Sequence, residues 1–286
     1  MSKFVQSAIT GLRRRWQRAT ATFLSVLGSV WLVTEVLTRV SHVTNQWLDD
    51  HGTTYLVFAV CSAIIGFLIA AYEARSVSFT IPNTDTTLTL KFASIFDESA
   101  DWIIGVNEFF DSTLGNIVSA NSLHGQIIAK LYSGNEANFR RDVDAALAGR
   151  QSEHVQRAEG QTAKFPLGTT AVIPRGPHKI FLVAISKTDL ATHRSSSTVP
   201  ILWDALSEAF KEVDGRGNGD PLAMPLIGNG RASLNIPPQH LLRIITLKIT
   251  ELGKQYDLPR QITINLSDDC FEHLDLVEIK RGWSVV

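Results

Sequence analysis

The chain has 286 residues, with 27 Lys and Arg set against 28 Asp and Glu, for a formal net charge of -1. That balance removes the global electrostatic pull on which nucleic-acid binding depends, so no nucleic-acid partner is expected. The length allows one ordinary domain plus something smaller, and the two cysteines, Cys61 in an apolar run and Cys270 near the C-terminus, point to no disulfide and to a reducing compartment.

In chain order, residues 1–18 form a basic N-terminus carrying Lys3, Arg13, Arg14, Arg15 and Arg18. Residues 19–38 (ATATFLSVLGSVWLVTEVLT) are apolar apart from Glu35 and several hydroxyls, and residues 54–72 (TYLVFAVCSAIIGFLIAAY) contain no charged residue. As a helix the second segment is about 28 Å long at ~1.5 Å per residue, close to the roughly 30 Å of a hydrocarbon core. Two transmembrane helices are therefore predicted, over about 19–38 and 54–72. No small-x-small cleavage pattern follows the first segment and the second arrives soon after, so a helical hairpin fits better than a signal peptide. The connection 42–53 holds Asp49 and Asp50 and no Lys or Arg, so the basic N-terminus is predicted to be cytoplasmic and two crossings return residue 73 onward to the cytoplasm. Small residues recur four apart, at Ser25 and Ser29 and at Ser62, Gly66 and Ala70, which fits both self-packing of the hairpin and oligomerisation. Glu35 is expected to face a partner, an aqueous path or the interface.

From residue 77 the pattern changes to alternating strands and helices, the signature of a layered α/β domain. Strands are predicted over 77–81, 87–94, 102–106, 169–173, 179–185, 222–227 and 261–266. Helices are predicted over 126–132, 135–147 and 200–213, each with an apolar stripe of helical period, and over 238–256, which is entered through prolines, while 214–220 (DGRGNGD) reads as a turn region. The four residues between 72 and 77 reach at most about 15 to 20 Å, so the domain is expected to lie against the membrane.

Two loops carry the chemistry. Gly228, Asn229, Gly230, Arg231, Ala232 and Ser233 follow a short strand, so the loop should emerge where open α/β sheets bind ligands, with bare backbone N–H groups able to approach a diphosphate. The Gly-Lys-Ser/Thr of a P-loop is absent, and a dinucleotide fingerprint would fall at the first strand-to-helix turn rather than late in the chain. The second loop, 119–125 (SANSLHG), precedes a helix that Asn121 or Ser122 can cap, leaving the N–H groups of Leu123, His124 and Gly125 to an anion. Two such loops facing one crevice would hold a diphosphate from both sides.

The paired loops, the strand order and the phrases IIGVNEFFD, NSLHG and PLIGNGRAS resemble a macro domain, the fold that binds ADP-ribose. Behind two N-terminal spans, they resemble the membrane-anchored macro-domain effectors of type II Thoeris antiphage defence. The resemblance covers about residues 77–283 and implies a three-layer α/β/α macro domain with a mixed sheet over 77–286. It implies a nucleotide signal, a histidine-linked ADP-ribose made from NAD by a TIR-domain enzyme, as activating ligand in place of any cofactor. It further implies assembly of protomers in the bacterial inner membrane, contact with membrane lipid, and membrane failure in the infected cell. By the same resemblance Ser122–Gly125 line the first phosphate loop, Gly228–Ser233 the second, and Asn107 matches the asparagine of the usual first loop. Many ADP-ribose-binding members place an aspartate near the end of an early strand to hold the adenine; here Ser94 stands there, with Asp97 three residues on.

Other readings stay open beside this one. His124 is expected either to touch the ligand or to pack at the helix start, and Arg231 either to offer its guanidinium fork to a phosphate or to stand solvated on the loop's outer side. Asp268, Asp269, Cys270, Glu272 and His273 lack zinc-ligand spacing; Ser267 is expected to cap the final helix with the acids on its first turn, and no metal is assigned. No catalytic set can be assigned by spacing, and the resemblance makes a non-enzymatic sensor the first expectation. A membrane-tethered ADP-ribosyl hydrolase or ADP-ribose reader is the alternative, and a metabolite-independent scaffold a third.

Overall fold

The computed structural model describes residues 3–230 and 234–283, which divide into two compact units at Arg75/Ser76. In the first unit, α1 (Lys3–Val40) and α2 (His42–Ala71) form an antiparallel pair joined at Ser41, whose hydroxyl caps α2 by accepting from Thr44 N at 3.3 Å. The predicted connection 42–53 is thus helical. A serine cap starts the helix and no proline interrupts it, so it runs through a kink at His51, just before Gly52, and on into the apolar segment. The basic N-terminus is helical too, with a kink at Arg15. Both helices are long and apolar enough to cross a membrane, and their outward faces carry Leu24, Trp31, Leu32, Val36, Leu56, Phe58, Ile65 and Leu68.

Ala59 and Ala63 are the buried row of α2, and a Cβ on Gly66 would lie 3.1 Å from Val26 Cγ2, so small residues pack the hairpin against itself. Glu73, fully buried, accepts ion pairs from Arg14 and Arg15 at 3.2 Å each, which brings the two ends of the hairpin together. Glu35 pairs with Arg39 one turn on, with both side chains substantially exposed.

The second unit is built on a mixed sheet. Its strands are β1 (Ser76–Thr80), β2 (Thr87–Phe92), β3 (Asp101–Asn107), β6 (Thr170–Arg175), β7 (His178–Thr188), β8 (Ser195–Ser196), β9 (Leu222–Pro225) and β10 (Gln261–Leu266); β4 (Glu153–His154) and β5 (Ala163–Lys164) form a separate small ribbon. The order is β1-β2-β10-β9-β3-β7-β6, with β8 on β7. The strands β2, β10, β9, β3 and β7 run parallel, while β1, β6 and β8 pair antiparallel at the margins. Parallel strands need cover on both faces, and the near-continuous burial of β3 (WIIGV) and β7 (IFLVAIS) is the consequence.

Helices α3 (Leu123–Leu131) and α4 (Glu136–Leu147) bring Ile127, Ile128, Phe139 and Val143 onto the face bearing Trp102, Ile104, Ile180 and Leu182. The other face takes α5 (Val199–Arg216) and α6 (Pro238–Leu252), with Leu202, Leu206, Phe210, Leu242, Ile245 and Ile249 buried. The predicted turn over 214–220 begins later than expected, because α5 continues to Arg216 and ends at Gly217. Ser267 does cap, but it caps a 3-10 turn over Asp268–His273, and the final helix α7 (Leu276–Trp283) is a separate element that packs on β1 and stacks Trp283 on Phe79. The 3-10 turn is set by Leu274, whose extended backbone ends it before α7 begins.

Candidate functional site

The carboxyl ends of β3, β7 and β9 open on a cleft of about 210 Å³, the place where parallel α/β sheets bind ligands. Its walls are Gly105–Asn107, Ile185–Ser186 and Pro225–Gly228 from the strand ends, Ile117–Ser119 and Ser122–His124 from the approach to α3, and Ser195 and Gly230. The two loops, far apart in sequence, therefore face one space.

The first loop is shaped by a single serine. Ser122 Oγ donates to Ser119 O at 2.6 Å and accepts from Gly125 N at 3.1 Å, so it closes the loop and caps α3 together. The Gly125 amide is thereby engaged in the cap, whereas Leu123 and His124 sit at the first two helical positions, whose N–H groups no intrahelical carbonyl reaches. A Cβ on Gly125 would lie 2.2 Å from Ser119 O, so only glycine lets the loop fold back over the helix start. Asn121 points outward, its carbonyl accepting from Gln126 Nε2 at 3.2 Å.

In the second loop Gly228 takes φ of +91° and is buried, a conformation that carries the chain sharply out of β9. Asn229 turns away from the cleft and donates from Nδ2 to Cys270 Sγ at 3.0 Å. Gly230 is exposed at the rim. Arg231, Ala232 and Ser233 lie outside the described residues. Of the other sequence-selected residues, Asn107, Ser122, Leu123, His124, Gly228 and Gly230 line the cleft, and Asn121, Gly125 and Asn229 do not.

Asn107 ends β3 at a register shift and organises the turn behind the cleft: its Oδ1 accepts from Phe109 N and Asp111 N, and its Nδ2 donates to Asp111 Oδ2 at 2.9 Å. Asp111, fully buried, is the hub of that turn. It also accepts from Gln161 N at 2.7 Å and from Arg157 Nη1 at 3.0 Å, and Arg157 is itself buried over the Phe109 ring. This buried pair ties the β4–β5 ribbon loop to the cleft's underside.

His124 is 91% buried, being 9% exposed, and its ring lies 5.3 Å from that of Phe139. Its Nε2 is buried without a hydrogen-bond partner among the described residues. Burial pushes its pKa down to about 4 despite the opposing charge of Asp111, so at neutral pH the imidazole is uncharged. It both packs and faces the cleft, and it does so as a neutral group rather than a cation. Ser94, at the adenine-aspartate position, caps a 3-10 turn over Ile95–Asp97 by accepting from Phe96 N.

Several wall residues escaped the sequence reading. Gly105 carried a signal, a glycine inside an apolar strand, which marks a close approach; a Cβ there would meet Ile185 Cδ1 at 2.3 Å. Ser186 and Ser195 carried none. The acidic cluster near Cys270 does not gather as a ligand set among the described residues, since Asn229 occupies the thiol and Ser267 the Asp269 side chain.

A mixed sheet covered on both faces, with two N–H-rich loops over the carboxyl ends of its central parallel strands, defines a macro domain. The fold is similar to that of an Oceanobacillus iheyensis macrodomain solved with ADP, at a TM-score of 0.50 and 13% identity, covering 74% of this chain and 98% of that one. A substituted variant of the same macrodomain gives a TM-score of 0.51 at 13% identity, covering 74% of this chain and 100% of that one. The chain belongs to the Thoeris ThsA macro-domain family, described as "Thoeris protein ThsA, Macro domain", which matches residues 88–267. No curated protein matches the chain.

Proposed function

We propose that this protein is a membrane-anchored receptor for an ADP-ribose-bearing signal, histidine-ADP-ribose being the expected form. Binding drives assembly of protomers through the hairpin in the bacterial inner membrane, and the assembly disrupts that membrane to abort infection. The observation that carries the reading is the convergence of the α3 start and the Gly228–Gly230 loop on one cleft. Amides at Leu123 and His124, at the positive end of a helix and without an acceptor among the described residues, suit a diphosphate. The pairing of Arg14 and Arg15 with Glu73 supports a hairpin whose two ends share one side of the membrane. A signal at a hundred times its dissociation constant, bound only by the assembling state, favours that state by about 2.7 kcal/mol per protomer. Those contributions add across an assembly, so a small nucleotide becomes a sharp switch.

The test is calorimetric titration of the full chain in detergent with ADP-ribose and with histidine-ADP-ribose, for wild type and Gly230→Asp. Among the described residues nothing lies within 4 Å of a Cβ at Gly230, and its φ is not positive, so aspartate there places a negative charge at the cleft rim. At least a tenfold loss of affinity with an unchanged melting temperature is expected. Wild-type affinity in the variant would remove the second loop from the site. Ligand recovered intact, together with growth in particle size, supports a sensor; turnover of the conjugate would instead make the chain a tethered hydrolase.

A further inference from the structure

The strands whose carboxyl ends form the cleft begin, at the opposite edge of the sheet, with a second cluster. Adjacent parallel strands β9, β3 and β7 start at or just after Asp220, Asp101 and His178. One ligand atom from each of the three lies within 4.8 Å of the others, and His178 Nδ1 is 3.8 Å from Asp101 Oδ1.

Two features distinguish this cluster from a solvated acidic patch. The Asp101 side chain is 2% exposed and its Oδ1 accepts from Lys179 N at 2.7 Å, while its second oxygen has no donor among the described residues. It stands at the wall of a polar cavity of about 530 Å³ shared with Asp220, Asp214, Asp257 and Arg260. His178 has its Nε2 3.1 Å from Ser99 Oγ, and its Nδ1 is buried without a hydrogen-bond partner among the described residues. An imidazole that donates Nε2–H to Ser99 leaves a lone pair on Nδ1 beside two carboxylates.

Among the described residues no Lys or Arg forms an ion pair with Asp101 or Asp220; Arg175 donates to Ala100 O at 2.7 Å and stacks on Trp102, and Lys179 Nζ donates to Arg216 O. A divalent cation among them would join the Nδ1 lone pair to both carboxylates.

We propose that Asp101, His178 and Asp220 form a divalent-metal site that staples the amino-terminal ends of β9, β3 and β7. Nitrogen and oxygen ligands sit about 2.0–2.2 Å from such an ion, so these donors close on it with roughly 1 Å of movement. Half-buried Asp220, on the turn ahead of β9, can supply most of it. One imidazole with two carboxylates suits Mn²⁺ or Zn²⁺ better than Mg²⁺. Ser99 is the outer partner that fixes the ring, as oxygen acceptors do for metal-bound histidines. Three protein ligands leave further positions to water from the cavity.

The experiment uses the full chain in detergent, stripped with EDTA and titrated with MnCl₂, ZnCl₂ and, for comparison, MgCl₂, with bound metal counted by mass spectrometry. One Mn²⁺ or Zn²⁺ per chain and a melting temperature that rises with metal concentration are expected. Asp220→Asn and His178→Gln should each weaken binding by at least about tenfold, and Asp257→Asn in the same cavity should not. Stripped protein should still bind ADP-ribose, so failure here is separable from failure of the receptor reading. Absence of binding at about 1 mM metal overturns the site. Binding by Asp220→Asn equal to that of wild type overturns it as well.

Discussion

Replacement of His124 by glutamine tests how the first loop is built. The folded imidazole resists protonation until about pH 4, whereas the unfolded one takes its proton at the ordinary 6.5. Between those values the unfolded chain binds the extra proton, so the stabilisation from the neutral ring is complete above pH 6.5 and is lost as pH falls through the folded value. At ~1.36 kcal/mol per pH unit the loss amounts to about 3 kcal/mol. Urea unfolding of residues 76–286, followed by tryptophan fluorescence at steps from pH 7.5 to 4, reads it directly. Wild type should lose about 3 kcal/mol more over that range than His124→Gln, which cannot titrate, whatever the two stabilities are at pH 7.5. Equal pH dependence in the two proteins would refute the buried, neutral ring. The same neutrality predicts that His124 adds no pH dependence to nucleotide affinity between pH 7 and 8.

Two further perturbations address the parts around the cleft. Arg157→Leu leaves Asp111 buried without its ion partner and should cost about 3–5 kcal/mol in urea unfolding. Arg216→Leu, which breaks a half-exposed pair with Glu212, should cost less than about 1 kcal/mol; similar losses would show that Asp111 is not the hub described. Gly125→Ala forces a methyl against Ser119 O and should destabilise by about 1–3 kcal/mol while lowering affinity for ADP-ribose, because the loop must shift to admit it. Unchanged binding and stability would mean that the loop has no need to fold over the helix start.

Much of the architecture is written locally. The runs over 87–92 and 261–266 are recognisable as strands, and the stripe from Leu202 to Val213 as a helix, because burial periodicity is a property of neighbouring residues. The same holds for the apolar helices, whose length and lack of charge read directly from residues 54–72. Boundaries were less legible where a cap decides them: α3 starts at Leu123 rather than 126 because Ser122 bonds the Gly125 amide, and residues 42–53 are helical because Ser41 starts α2.

What the sequence determined, then, is which segments are apolar, which periods they follow and where glycine leaves backbone bare. Tertiary structure decided which of those segments meet. The order β9-β3-β7, all parallel, sets the Gly228 loop and the α3 start across one cleft, with Gly105, Ser186 and Ser195 in its walls. It also joins Asp111 to Arg157 and Asp101 to His178, and it turns Asn229 and Asn121 away. Strand order is fixed by the burial of both sheet faces at once, a condition on the whole domain that no local stretch of sequence carries.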